Sequence, residues 1–193
     1  MVVRVGVLAL QGDVREHVSM LESLGVAVTL VQLPGQLDDV DGLIIPGGES
    51  TAIAHLLDTS GLREPVAQRL AQGLAVLGTC AGLILLGTTV VDGRPDQWSF
   101  AALDVAVRRN GYGRQRASFE TELEVVGVGR VPGVFIRAPR VESVGEDVQV
   151  LAQHDHGDGP YPVLVRQGAV WGASFHPELT GDSRIHRLFL DSI

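Results

Sequence analysis

Short apolar, β-branched runs alternate with helical repeats along the first half of the chain, and that alternation leaves few architectures open. Val3 to Leu8 is nearly continuous in valine, leucine and glycine, the pattern of a strand buried on both faces. Asp13 has Glu16 three residues on, which predicts a capping box. Val14, Val18, Leu21 and Leu24 follow at helical spacing, and Gly25 can close the helix in a left-handed conformation. Val26 to Leu30 and Gly42 to Ile45 read as further strands, and Ser50 to Leu57 and Glu64 to Gln72 as helices. Leu74 to Leu77 is another strand, and an apolar helix follows the small residues after it. Strands alternating with helices predict a parallel sheet covered on both faces.

The second half carries more strands, expected at Leu103 to Arg108, Phe119 to Val126, Gly133 to Arg137, Val148 to Ala152, Pro162 to Arg166 and Ala169 to Phe175. A last helix from Asp182 should bury Ile185, Leu188 and Phe189. No repeat or linker divides the 193 residues, so a single three-layer α/β domain over 1–193 is expected, its sheet mixed but mainly parallel.

Composition narrows the chemistry. The net charge of -8 disfavours attraction to nucleic acid or anionic lipid. All 15 basic residues are arginine, which excludes a lysine Schiff base or a phosphate-loop lysine. No apolar run reaches the length of about 18 residues that spans a bilayer. The apolar start lacks a small-residue cleavage site and leads straight into a turn and helix, so a core strand is expected rather than a secretion signal. A lone cysteine can form no internal disulfide, which suits the cytoplasm.

That cysteine sits in Gly78-Thr79-Cys80-Ala81-Gly82, between an apolar strand and a helix. A nucleophile elbow needs small neighbours, because the chain turns sharply and lifts the reactive side chain above the sheet. The helix start behind it offers N–H groups and a positive dipole end, which favour a thiolate. A free cysteine without such flanks is more often buried core. Near the end, Phe175-His176-Pro177-Glu178 follows an apolar strand. The residue before proline is extended, so His176 and Glu178 can point the same way, the acid orienting the imidazole. Pro46-Gly47-Gly48-Glu49-Ser50 could supply half of an oxyanion hole from Gly47 and Gly48, with the Ala81 N–H as the other half. By itself it would be an ordinary strand-to-helix turn. His154-Asp155-His156-Gly157-Asp158 has the composition of a metal site but the turn residues of an exposed loop, and the loop is expected. His17, His55 and His186 lie on expected helices and read as packing or partner-facing residues.

In this order, the glycine-flanked cysteine, the Gly-Gly loop and the late His-Pro-Glu resemble class I (triad) glutamine amidotransferases. Further stretches are similar to the glutaminase subunit of pyridoxal 5'-phosphate synthase: Leu10-Gln11-Gly12 with Arg15-Glu16-His17, Glu49-Ser50-Thr51, Arg109-Asn110 with Gly113-Arg114-Gln115, and Phe135-Ile136-Arg137-Ala138-Pro139. The resemblance spans nearly the whole chain and implies a flavodoxin-like fold. It implies Cys80 as nucleophile, His176 as base and Glu178 as its orienter, with glutamine held by Gly48, Glu49, Ser50, Arg109, Ile136 and Arg137. It also implies no metal, no cofactor of the chain's own and a hetero-oligomeric complex with a synthase subunit. The stretches Asp92 to Leu103 and Asn110 to Tyr112 depart from the family's wording and are expected to flank the active site or meet the partner. Another synthase, such as that making imidazole glycerol phosphate, and a non-catalytic flavodoxin-like regulator with a reactive cysteine are the alternatives.

Overall fold

The computed structural model of the chain describes residues 3–93, 97–112 and 118–193. Its first half follows the expected alternation: β1 (Arg4–Leu8), α1 (Val14–Ser23), β2 (Ala27–Val31), β3 (Gly42–Ile45), α2 (Ser50–Thr59), α3 (Arg63–Ala71), β4 (Ala75–Thr79) and α4 (Ala81–Leu86). Then come β5 (Gly87–Val91), β6 (Leu103–Arg108), β7 (Ser118–Val125), β8 (Gly129–Ile136), β9 (Arg140–Val144), β10 (Gln149–Asp155), β11 (Pro160–Gln167), β12 (Val170–Ala173) and α5 (Arg184–Leu190).

The main sheet has seven strands in the order β10-β11-β12-β4-β3-β1-β2. From β12 to β2 every pairing is parallel, and β11 joins antiparallel to both β12 and β10. The parallel part is the flavodoxin-like order, with β12 in the fifth place. Smaller sheets hold β5-β6-β9 and the β7-β8 hairpin. β5 and β9 are absent from the sequence expectation. Both are short and alternate in burial only weakly, so neither shows the continuous apolar run that marks a central strand.

Alternate strand residues divide the core. Val5, Val7, Ile44, Leu77 and Trp171 pack with Leu21 of α1 and Phe189 of α5 on one face. Leu8, Leu43, Ile45 and Val76 pack with Ile53 and Leu57 of α2, Val66 of α3 and the apolar α4 on the other. Each fully buried side chain of this size contributes about 1.5–3 kcal/mol relative to exposure, so trimming one such as Leu77 to alanine should cost about 2–5 kcal/mol. No described helix is long and apolar enough to cross a membrane.

Three expectations need correction. Asp13 makes no side-chain cap to α1, because its carboxylate is turned to a histidine instead. In α5 Leu188 is only half-buried, and His186 takes the fully buried position. His154 belongs to β10 rather than to an exposed loop. Its ring stacks on Phe119, and His156 lies 3.9 Å from Tyr112 by ring centroid, so aromatic contact holds both half-buried.

Candidate active site

Ligand crevices in open α/β sheets form beyond the carboxyl ends of the strands, and four such ends converge here. Gln11-Gly12-Asp13 follows β1, Gly47-Gly48 follows β3, Cys80 follows β4, and His176 lies just beyond β12. The Cys80 N–H donates to the Ala173 carbonyl at 2.8 Å, and the His176 N–H to the Val134 carbonyl at 2.8 Å. Backbone bonds to β12 and β8 thus fix the nucleophile and the histidine.

Cys80 has φ 50° and ψ -102°, a conformation that a non-glycine residue holds only when its surroundings enforce it. The enforcement is close backbone packing. A Cβ on Gly82 would stand 2.1 Å from the Ile45 carbonyl oxygen, and one on Gly78 would stand 2.6 Å from the backbone of Gly82. Only glycine at both positions lets α4 pack this tightly against β3 and β4.

The His176 ring is buried and held at one nitrogen. Nδ1 lies 2.8 Å from Glu178 Oε1 and 3.3 Å from Asp13 Oδ2. Burial alone would lower the affinity of the ring for a proton. The Asp13 carboxylate, Cys80 and Glu178 outweigh it and push the imidazole up to about 12. Burial raises the Glu178 carboxyl, a shift that its bond to His176 opposes. Nε2 is buried without a hydrogen-bond partner among the described residues, so it is the nitrogen left to serve Cys80. Aspartate 13, His176 and Glu178 are also the one described group with metal-site spacing, but their polar atoms already face each other.

A pocket opens over Cys80, lined by Gly48, Glu49, Ser50, Ile84, Arg109, Asn110, Ile136 and Arg137. Cys80, Asn110 and Arg137 are three of the five described non-glycine residues with positive φ, so backbone strain gathers at this pocket. Arg109 reaches in from the end of β6. Its Nη2 donates to Glu49 Oε1 at 3.1 Å and its Nη1 to Gln97 Oε1 at 2.9 Å. Glu49 is also the N-cap of α2, accepting from the Thr51 and Ala52 N–H groups. Partial burial would raise its carboxyl; these donors and Arg109 hold it below the ordinary carboxylate range. The Glu49 N–H donates to Gln11 Oε1 at 2.9 Å, which ties the β1 and β3 loops together.

Nearly every residue singled out in the sequence therefore meets in one place. Gly48, Glu49, Ser50, Arg109, Ile136 and Arg137 share the pocket with Cys80, and Gly47 packs on the His176 ring. Ala81 opens α4 directly after the nucleophile. The Gly113-Arg114-Gln115 stretch lies outside the described residues. Asn110 and Gln97, both in the stretches of unfamiliar wording, do border the site. Missed altogether was Asp13, read as a cap. The sequence signal for Asp13 was its place directly after a strand end, in Gln11-Gly12-Asp13.

A family profile described as the SNO glutamine amidotransferase family matches residues 7–193. The chain belongs to this family. It is 51% identical over 191 residues to pyridoxal 5'-phosphate synthase subunit PdxT of Nocardioides sp., covering 98% of this chain and 95% of that one. To the subunit of the same name from Salinispora arenicola it is 52% identical over 192 residues, covering 98% and 96%. A crystal structure of a glutamine amidotransferase superposes with a TM-score of 0.91 at 50% identity, covering 97% of both chains. The PurLQS structure from Thermotoga maritima, at 17% identity and a TM-score of 0.71, shares the fold. Within the SNO glutamine amidotransferase family the strained Cys80 and the carboxylate-held His176 acquire a chemical context, amide nitrogen transfer from glutamine.

Proposed function

We propose that the chain hydrolyses L-glutamine to L-glutamate and ammonia through a thioester on Cys80, and delivers the ammonia to the synthase subunit of a pyridoxal 5'-phosphate synthase. The observation that carries this reading is the pairing of His176 with Glu178 beside Cys80, at the head of a pocket containing Arg109 and Glu49. An arginine can grip the α-carboxylate of glutamine with two hydrogen bonds, and a carboxylate suits its α-ammonium. The names of the 51–52% identical relatives favour this synthase over one making imidazole glycerol phosphate.

The chemistry is acyl transfer. With the Cys80 proton already held on His176 Nε2, the thiolate sulfur attacks the side-chain amide carbon. The resulting oxyanion is met by backbone N–H groups from Gly47, Gly48 and Ala81; losing one such donor costs about 10²–10³ in rate. Collapse expels nitrogen as ammonia, protonated by His176. Water then adds to the thioester while His176 takes its proton, the C–S bond breaks, and glutamate leaves with the thiolate restored. Glu178 keeps the Nδ1 proton in place throughout. Each step uses side-chain and backbone groups of the protein, glutamine and water.

Ammonia released into bulk water at neutral pH becomes ammonium and loses its nucleophilic lone pair. Direct passage into a synthase within a hetero-oligomeric complex avoids that loss. Residues 1–193 act in this reading as one domain in the cytoplasm, supported by a buried cluster that draws residues from Leu8 to Val170 together. The test is glutamate release with and without the synthase subunit, beside Cys80→Ala. Partner-stimulated release that disappears in the variant supports the proposal, and cysteine-independent release refutes it.

A further inference from the structure

Behind the His176–Glu178 pair lies a second tier of polar side chains with no solvent exposure. His17 of α1 and His186 of α5 are both completely buried, as is Thr79 at the end of β4. His17 Nδ1 is 3.0 Å from His186 Nε2. On its other side His17 Nε2 is 3.1 Å from Thr79 Oγ1 and 3.5 Å from Glu178 Oε1. One imidazole thus touches both the residue preceding the nucleophile and the acid that orients the base.

We propose that His17 is a positioning residue for the triad, its Nε2–H holding Glu178 Oε1 and Thr79 Oγ1 in register while His186 fixes its tautomer from behind. The inference rests on the triad reading given above.

The tautomers follow from counting donors. Both rings are buried and favour the neutral form, so each carries one N–H. Two ring nitrogens 3.0 Å apart require that one donates and the other accepts. If His17 donated from Nδ1, its bare Nε2 would face the Glu178 carboxylate, two acceptors with no proton between them. The N–H of His186 would then sit on Nδ1, which is buried with no partner among the described residues. Orphaned buried N–H groups are rarer than orphaned acceptors. The opposite order gives both ring N–H groups a partner: His186 Nε2–H to His17 Nδ1, then His17 Nε2–H toward Thr79 and Glu178. Only the lone pair of His186 Nδ1 is left unused. These contacts tie α5 and α1 to Glu178 and to Thr79, the residue before the nucleophile.

The experiment pairs spectroscopy with kinetics on the intact chain. Imidazole ¹⁵N shifts of the unmodified protein should show His17 neutral and protonated at Nε2; an Nδ1–H tautomer overturns the proposal without any mutation. Glutamine hydrolysis in the complex with the synthase subunit is then compared for His17→Leu and His17→Gln. The leucine variant should lose about tenfold to a hundredfold in kcat, the usual scale for removing an outer partner of a reactive group, with KM changed less than about twofold. Glutamine can present an amide N–H near the former Nε2 and should recover most of kcat. Wild-type kcat in His17→Leu, with Cys80→Ala inactive, would overturn the role of His17 and leave the triad standing. Full activity in Cys80→Ala would instead remove the triad reading itself. Should His17→Leu not fold, His186→Leu, which leaves His17 and Glu178 intact, should lower kcat by freeing the His17 tautomer; unchanged kcat there counts against the proposal.

Discussion

Gly47 packs so closely on His176 that a Cβ built on it would lie 2.4 Å from the ring Cε1. The same Cβ would stand 2.9 Å from Asp13 Oδ2, so the loop after β3 is a wall against which both ring and carboxylate rest. Gly47→Ala must displace the imidazole from its place between Glu178 and Cys80. A misplacement of about 1 Å can cost on the order of 10²-fold in rate, and a loss of that size is expected in kcat. Steady-state glutaminase kinetics check it, with circular dichroism to show a retained fold. Activity within about twofold of wild type would mean that the wall yields.

Arg109 has both terminal nitrogens engaged, one by Glu49 and one by Gln97. If Arg109 is the carboxylate grip for glutamine, its loss acts mainly on binding. Hydrogen bonds to charged groups contribute about 1.5–3 kcal/mol, so Arg109→Ala should raise KM for glutamine by about tenfold or more. Arg109→Lys should not restore it, because an ammonium cannot reproduce the planar two-point geometry. An unchanged KM would assign the carboxylate to Arg137 or to backbone.

The contrast between these residues and Asp13 explains what a sequence can disclose. Cys80, the paired glycines and His176-Pro177-Glu178 are local signatures, since each depends on neighbours within a few positions. Parallel strands were equally visible, because burial on both faces leaves an unbroken apolar run in β1, β3 and β4. Asp13 stands 163 positions from its histidine partner, and His17 stands 169 from His186, so no local pattern could join them. A buried histidine on an apolar helix face looks the same whether it packs or orients. β5 and β9 escaped for a related reason: they pair with β6 across intervening chain and keep one side half-open.

The elbow supplies a stability prediction. Gly82→Ala sets a methyl group 2.1 Å from the Ile45 carbonyl oxygen, a backbone atom that cannot swing aside. Overpacking of this kind costs about 1–3 kcal/mol. For a chain of this size that corresponds to a fall in Tm of about 2–12 °C. Calorimetry of the variant measures it, and glutaminase activity should fall with it because Cys80 moves with α4. An unaltered Tm would show that α4 is free to slide on β3.

The buried histidine pair makes the fold sensitive to acid. Burial lowers His17 well below 6.5, and His186 to about 4 from 6.5. Between these limits the unfolded chain binds protons that the folded chain refuses, so stability falls as pH falls. For His186 the full difference is on the order of 3 kcal/mol by about pH 4. His176 adds no slope there: its folded pKa is raised, so its contribution is complete below about 6.5 and is lost only as pH climbs toward about 12. Glu178, raised by burial, works in the opposite direction to the histidine pair, and the lowered carboxyls of Glu49 and Asp182 lose their stabilisation only below about 4.5 and about 3.8 respectively. A difference experiment separates these groups. His186→Gln keeps an N–H for His17 Nδ1 but cannot titrate, so its denaturation free energy should fall less steeply than wild type between pH 6.5 and pH 4. Urea titrations of both proteins at half-unit pH steps give the comparison. Curves that run parallel across that window would mean that His186 is already charged, or already open to water, in the folded protein.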